Sequence, residues 1–159
     1  MKSRTQHIVA ILGFATVVHL PVLALAMNLT GQWSGSTSCT SFDGTLFRIP
    51  RSNSTLYISH SGGTFAAHLD TGEGPTDYSG QAVQESGLTT RLRAIMVECH
   101  TAPNLVDRSE VVHLKVGETG DGARLKGSSI FRGQAGDIGT CRWTFTRVNK
   151  TDPGLAECP

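Results

Sequence analysis

Apolar and polar residues alternate with a period of two through most of the chain after residue 28. The alternating segments are 29–41, 55–60, 64–69, 78–84, 88–96, 111–116, 124–131 and 141–147. None of them shows a sustained helical period. Alternation of this kind is typical of β-strands that bury one face and expose the other. We therefore predict an all-β domain with about eight antiparallel strands, joined mainly by tight turns.

The turn signals favour a meander in which each strand pairs with the next. Ser61-Gly62-Gly63 separates two alternating segments and predicts a hairpin, in which His60 would pair with Thr64 if all three residues formed the turn. An open meander of this length exposes two strand edges, so we predict closure into an up-and-down barrel. A two-sheet β-sandwich is the alternative.

The first 26 residues have the pattern of a secretory signal peptide. Lys2 and Arg4 precede an apolar stretch, which ends in Ala24-Leu25-Ala26, a small-x-small cleavage site. We expect cleavage after Ala26 and export to the periplasm or the extracellular space, with an uncleaved membrane anchor as the alternative. We further expect a barrel domain over 27–150, a C-terminal tail over 151–159, and no stable membrane insertion after cleavage.

The composition excludes a protein that binds nucleic acid through bulk positive charge. Removal of residues 1–26 takes away two basic and no acidic residues, which leaves 12 Lys and Arg against 13 Asp and Glu, a net charge of −1. Eighteen glycines and few aromatic residues are typical of short strands and turns.

Four cysteines follow the signal peptide, and none of them forms a CxxC pair. In an exported domain this spacing predicts two structural disulfides rather than a metal or redox site. Barrel closure would place the first strand antiparallel to the last, with Cys39 opposite Cys141 and Cys99 left to tether the tail through Cys158. We favour this pairing, and a Cys39–Cys99 bond, which leaves Cys141 for Cys158, is the alternative.

The first strand opens with Leu29-Thr30-Gly31-Gln32-Trp33, which resembles the Gly-x-Trp opening of lipocalin-like and avidin-like barrels, the calycins. In those families the tryptophan closes one barrel end and a late arginine packs across its ring. The resemblance implies this role for Arg147, with Arg142 as a weaker substitute. The resemblance does not extend to the avidin ligand site, because Gly35 stands where avidins place a ligand-binding asparagine and only one further tryptophan is present.

Motifs that would carry catalysis or bind a metal have simpler structural interpretations. Asp70-Thr71-Gly72 matches half of an aspartic protease site, but a strand that ends in a polar turn explains it. Asp70, Glu73 and Asp77 share one loop without the spacing of a known calcium motif. The four histidines of the exported part show no zinc-ligand spacing. We therefore expect no enzyme activity, no cofactor and no metal.

Five basic residues fall on the predicted outward positions of three neighbouring strands: Arg91, Arg93, Lys115, Arg124 and Lys126. Such a stripe suits an anionic partner, such as a polysaccharide, an anionic lipid headgroup or an acidic protein. We favour the simpler interpretation, a solvated outer face that discourages aggregation.

Two functional hypotheses follow from these features. The first is a secreted, non-catalytic barrel that holds a small apolar or amphipathic ligand in an open mouth. Small inward residues (Ala67, Ala94, Gly127 and Ser129) would leave room for it, and the expected ligand-binding residues are Trp33, Phe65, Tyr78, Met96 and Phe131. The alternative is a module that binds an exported protein, such as a hydrolase inhibitor, through the loops at 70–77 and 101–108.

Overall fold

The computed structural model describes residues 27–42, 46–71, 74–86, 88, 90–99, 109–119, 122–133 and 136–158, so the predicted signal peptide lies outside the described residues. Eight antiparallel strands follow one another around a closed barrel, in which the last strand pairs with the first. The strands are β1 (Gly31–Phe42), β2 (Leu46–Ser61), β3 (Thr64–Asp70), β4 (Pro75–Gln84), β5 (Arg91–Glu98), β6 (Ser109–Thr119), β7 (Gly122–Arg132) and β8 (Ile138–Asn149). The predicted up-and-down barrel is confirmed, and the sandwich alternative is wrong.

Strand β2 is longer than the alternation predicted, because it begins at Leu46 and not near Thr55. Its first half contains Pro50, which has no N–H to donate to a neighbouring strand. The pairing with β1 passes from Thr37 opposite Ser52 to Cys39 opposite Ile49, so that two residues of β2 lie opposite one of β1. This β-bulge accommodates the proline. It also interrupts the period-two alternation, so the sequence pattern did not predict the first half of β2.

Two turns differ from the sequence prediction. Strand β5 begins at Arg91, and Leu88 lies in the preceding turn with 41% exposure, where its N–H donates to the carbonyl of Glu85 at 3.0 Å. The β2–β3 hairpin has only Gly62 and Gly63 in its turn, so His60 pairs with Phe65 and not with Thr64. Gly62 has a φ of 64°, a conformation that glycine adopts without strain.

The seam between β1 and β8 carries the first disulfide bond. Cys39 and Cys141 lie directly opposite each other in the register, with a Cα–Cα distance of 4.0 Å. The second bond joins Cys99, just after β5, to Cys158 in the tail. Both bonds of the favoured pairing are therefore present, and the Cys39–Cys99 alternative is wrong. Two disulfides fit an oxidising environment outside the cytoplasm.

The two ends of the barrel differ. We call the end where β1 begins the plugged end, because residues 27–30 fold across it and bury Met27 and Leu29. The opposite end, where β1 finishes at Phe42 and β8 begins at Ile138, is the loop end. The predicted contact loop 101–108 lies outside the described residues.

The chain after β8 forms a C-terminal strap (residues 150–158), which crosses the outside of β2, β3 and β4 before it reaches Cys99. Small side chains make room for it, since Ala66 lies between Ser59 and Ser79 in the register and is only 3% exposed although it points outward. Its hydrogen bonds to these three strands are Leu155 N to Ser59 Oγ at 2.8 Å, Ser59 Oγ to Asp152, Thr64 Oγ1 to Glu157, and Cys158 N to Ser79 Oγ at 2.9 Å.

Candidate functional site

All five residues expected to bind a ligand point into the barrel and are almost inaccessible. Their exposures are 0% for Trp33, 1% for Phe65, 1% for Tyr78, 0% for Met96 and 5% for Phe131. They lie at different levels, because Trp33 is at the plugged end while Phe131 pairs with Gly139 near the loop end. The structure therefore places them in one shared core and does not gather all five around a single point.

Trp33 belongs to the closure of the plugged end. Its indole Nε1 donates to the carbonyl of Leu29 at 2.9 Å, and the guanidinium carbon of Arg147 lies 4.6 Å from the ring centroid. Arg147 Nη2 also donates to the carbonyl of Asn28 at 2.8 Å. The residue that the resemblance selected is the one that stacks, whereas Arg142 is exposed on the outer face of β8. Trp33 has a structural role here.

Four inward glycines are covered by a large side chain from a nearby strand. A Cβ on Gly80 would lie 2.3 Å from the ring of Phe65, and one on Gly139 would lie 2.2 Å from the ring of Phe131. Gly35 is covered by Phe145, and Gly127 by Leu114. The expectation that Gly127 leaves room for a ligand is therefore wrong, because Leu114 fills that space.

A polar chain crosses the core in the half nearer the loop end. Glu110, only 3% exposed, accepts hydrogen bonds from the hydroxyl of Tyr78 at 2.8 Å and from the hydroxyl of Ser129. The indole Nε1 of Trp143 in turn donates to Ser129 Oγ at 3.1 Å. Because a serine hydroxyl has one proton, Ser129 accepts from Trp143 and donates to Glu110. The chain of hydrogen bonds therefore converges on the carboxylate.

Aromatic rings flank this carboxylate. The rings of Tyr78 and Trp143 meet edge to face, with centroids 5.8 Å apart, and Phe131 lies opposite Glu110 in the register. A buried carboxylate beside aromatic rings presents a hydrogen-bond acceptor next to apolar surface, which is the chemistry that an amphipathic ligand requires. Of the predicted residues, the structure brings Tyr78 and Phe131 to this place.

Glu110 and Trp143 were missed as site residues, although the sequence contains a signal for Glu110. It is in phase with the inward residues Val112, Leu114 and Val116, so the alternation of β6 extended by one step predicts an inward carboxylate. Trp143 is in phase with Cys141 and Phe145 and was recognised as a strand residue only.

His60 lies beside the plugged end. Its Nδ1 accepts a hydrogen bond from the N–H of Leu29 at 3.2 Å, and its ring meets Phe65 edge to face. Burial lowers the pKa of His60 below its ordinary value of 6.5. The neutral imidazole therefore holds the N-terminal segment in place.

The other candidate motifs fall on the outer surface. Asp77 contacts Nδ1 of His68 at 2.6 Å across β3 and β4, so its carboxylate is already engaged. Asp70 ends β3, while Gly72 and Glu73 lie outside the described residues. Among the residues that the structure describes, no three His, Cys, Asp or Glu side chains are grouped as a metal site would require.

No protein-family model matches the sequence, and no curated protein matches it significantly. Within the described ranges there is no helix with the length and apolar character of a membrane span. The eight-stranded closed meander is compatible with a calycin-like fold.

Proposed function

We propose that the protein is an exported, non-catalytic β-barrel that binds a small apolar or amphipathic ligand near its loop end. The observation that carries this proposal is the Glu110 carboxylate, buried in the core of a domain whose stability depends on apolar packing. Burial of a carboxylate costs roughly several kcal/mol of desolvation, which its partners have to offset. An apolar residue of similar size would avoid this cost, so the carboxylate favours a polar role in the core over a purely structural one.

The ligand would lie with its polar group against Glu110 and Ser129 and its apolar part against Tyr78 and Phe131. Trp143 would support the site from below by its hydrogen bond to Ser129. Trp33, Phe65 and Met96 would form the packed floor of the barrel and not the contact surface, because they lie nearer the plugged end: Trp33 bonds to Leu29 there, and Phe65 and Met96 pair with Gly80, one inward position deeper than Tyr78.

The fold resemblance supports the same proposal. Lipocalin-like and avidin-like barrels bind small ligands inside the barrel, and the stacked Trp33–Arg147 pair matches their closed end. Export to the periplasm or the extracellular space belongs to this proposal too. It is supported by the two disulfide bonds and by the signal-like pattern of residues 1–26.

Native mass spectrometry tests the proposal directly. The chain is expressed in its own host with residues 1–26 included, and the exported product is purified without detergent. A surplus mass that leaves on denaturation is expected, and it identifies the ligand. A mass equal to the bare chain with two disulfides, together with no ligand recovered by solvent extraction, would overturn the proposal.

A variant pair locates the site. Glu110→Gln keeps the size of the side chain and removes its charge, and we expect at least a tenfold weaker retention of the ligand, the range for loss of a charged hydrogen bond. Glu118→Gln is the matched control, because Glu118 lies at the plugged end of the same strand and pairs with Lys150. Equal retention by both variants would move the site away from Glu110.

A protein-binding module, such as an inhibitor of an exported hydrolase, is the second candidate function. The filled spaces beside Gly35, Gly80, Gly127 and Gly139 favour it, because a packed barrel acts through its outer surface. A bare mass in the first experiment, combined with a protein partner recovered by crosslinking in the native compartment, would establish this alternative.

A further inference from the structure

The outer face of β5–β8 is basic near the plugged end and mainly apolar near the loop end, where Arg132 is the one cation among the described outward positions beyond Ile130. Near the plugged end the paired rows carry Arg91 with Arg124, and then Arg93 with Lys115 and Lys126. Near the loop end the corresponding row is Val97, Val111 and Ile130, which are 48%, 39% and 64% exposed. Ile138 and Phe42, with 58% and 56% exposure, lie in the next row toward the loop end, where Ile138 pairs with Arg132. We call this surface the basic–apolar face.

Charge on this face has one sign. Seven of the 12 Lys and Arg residues beyond residue 26 are exposed on it, namely Arg91, Arg93, Lys115, Arg124, Lys126, Arg132 and Arg142. None of the described outward positions of β5–β8 carries an acidic residue. Glu85 in the adjoining turn forms an ion pair with Arg93 at 2.6 Å, and this hydrogen bond lowers the pKa of Glu85.

The opposite side of the barrel is acidic. Asp70 and Asp77 on β3 and β4, and Asp152 and Glu157 on the C-terminal strap, are all exposed. The net charge beyond residue 26 is only −1, but the basic and the acidic residues lie on opposite sides of the barrel. Separation of this kind produces a field that orients the molecule toward an anionic partner.

Protection against edge-to-edge aggregation does not explain the basic residues, because a closed barrel has no free strand edge. Nor does solvation explain the apolar row, since six of the nine exposed large hydrophobic residues lie in it or directly beside it: Phe42, Ile95, Val97, Val111, Ile130 and Ile138. A groove of about 450 Å³ runs between Val111, Ile130 and Ile138. Contiguous exposed apolar surface rimmed by charge marks a contact site.

We infer that the basic–apolar face docks the protein, loop end first, on the surface of an anionic membrane. Lys126 and Ile130 are four residues apart on β7, which corresponds to about 13 Å along the strand. This spacing lets the apolar row reach the boundary of the acyl chains while Lys126 and its basic neighbours stay among the phosphate groups, since the apolar faces of interfacial helices enter that boundary by about 5–10 Å. The inference is independent of the ligand proposed above.

Vesicle sedimentation tests the docking. The exported product, with its N-terminus verified by intact mass, is mixed with vesicles of phosphatidylcholine alone or of equal parts phosphatidylcholine and phosphatidylglycerol. We expect binding to the anionic vesicles at about 50 mM salt, strong loss of binding at about 500 mM, and no binding to the neutral vesicles. No sedimentation with anionic vesicles at low salt would overturn the inference.

Two matched pairs of variants test whether vesicle binding depends on the basic–apolar face itself or only on the total charge and apolar surface of the protein. Lys126→Gln is expected to lower the partition coefficient about fivefold, the effect of one basic residue near an anionic surface. Lys150→Gln, at an exposed cation outside the face, is expected to change it less than about twofold. Ile130→Ser is expected to lower it about tenfold, whereas Val148→Ser, which is equally exposed on β8 near the plugged end, leaves it unchanged.

Other outcomes decide against the inference. Equal losses in the face and control variants would show that binding is not localised. Retention on immobilised polyglutamate without any vesicle binding would assign the face to an acidic protein partner instead. All four substitutions replace exposed side chains, so the thermal midpoints of the variants should match that of the parent protein. A matching midpoint shows that weaker binding is not caused by unfolding.

Discussion

Arg147 stacks on Trp33, with the guanidinium carbon 4.6 Å from the centroid of the indole ring. The two residues are opposite each other across the β1–β8 seam, so the contact joins the first strand to the last. Arg147 also holds the carbonyl of Asn28, which ties the N-terminal segment to the same point. One side chain thus couples barrel closure to the plugging of the barrel end.

Replacement of Arg147 by methionine should lower the free energy of unfolding by about 1–3 kcal/mol. Methionine retains an apolar chain over the indole and loses both the cation–π attraction and the hydrogen bond to Asn28. Urea denaturation measures the change. The control is Arg142→Met on the outer face of the same strand, which should change stability by less than about 0.5 kcal/mol. Equal effects of the two substitutions would contradict the role assigned to Arg147.

Removal of the seam disulfide, by Cys39→Ser with Cys141→Ser, should lower stability by up to about 4–5 kcal/mol in the chain-entropy model, because the bond closes a loop across 102 residues. Calorimetry of the oxidised protein and the variant gives the difference.

In contrast, Cys99→Ser with Cys158→Ser should leave the Trp33 and Trp143 environments intact in near-ultraviolet circular dichroism and release the C-terminal strap to proteolysis. A strap that stays protease-resistant without its disulfide would contradict this division of roles.

Gly80→Ala should destabilise the barrel by about 2–3 kcal/mol, since the new methyl group would lie 2.3 Å from Phe65 and 2.6 Å from the carbonyl oxygen of Ile95. The backbone oxygen cannot move away without breaking the β4–β5 pairing. Gly63→Ala is the matched control, because no atom lies within 4 Å of its Cβ position. Thermal midpoints of the two variants provide the comparison, and a tolerated Gly80→Ala would indicate a looser interior.

Stability should depend on pH through His60. Its pKa is lowered in the folded protein, so the unfolded chain binds the proton more tightly. The contribution of neutral His60 is complete above about pH 6.5 and decreases as the pH falls toward the folded-state pKa, by at most about 1.4 kcal/mol per pH unit. Unfolding curves from pH 8 to pH 5 should show this decrease in the parent protein and in His113→Gln, but not in His60→Gln. Identical profiles for all three proteins would refute it.

The period-two pattern predicted most of the architecture because a closed meander requires little beyond alternation and short turns. Seven of the eight strand pairs join consecutive strands. The pattern failed at Pro50, where a bulge interrupts the alternation of β2, and at Leu88, whose apolar side chain belongs to a turn. In both places local backbone geometry outweighs the hydrophobic period.

The candidate site was only partly predictable. Tyr78 and Phe131 follow from alternation, and Glu110 would follow if the phase of β6 were extended by one residue. The partnership of Glu110 with Ser129 and Trp143 requires the register of three strands, which the sequence does not specify. The path of the C-terminal strap was unpredictable for another reason. Its residues have no period, and its position depends on hydroxyl groups of Ser59 and Ser79 that look like ordinary surface positions.

The seam between β1 and β8 also has a kinetic consequence. Every other strand pair can form from a hairpin or a short loop, whereas the seam joins positions about a hundred residues apart, as Cys39 and Cys141 show with their separation of 102. Contacts between distant residues carry the loop-closure entropy and slow folding. Barrel closure is therefore the late step. We therefore expect the seam disulfide to trap a barrel that has already closed, since strand pairing is what holds Cys39 beside Cys141.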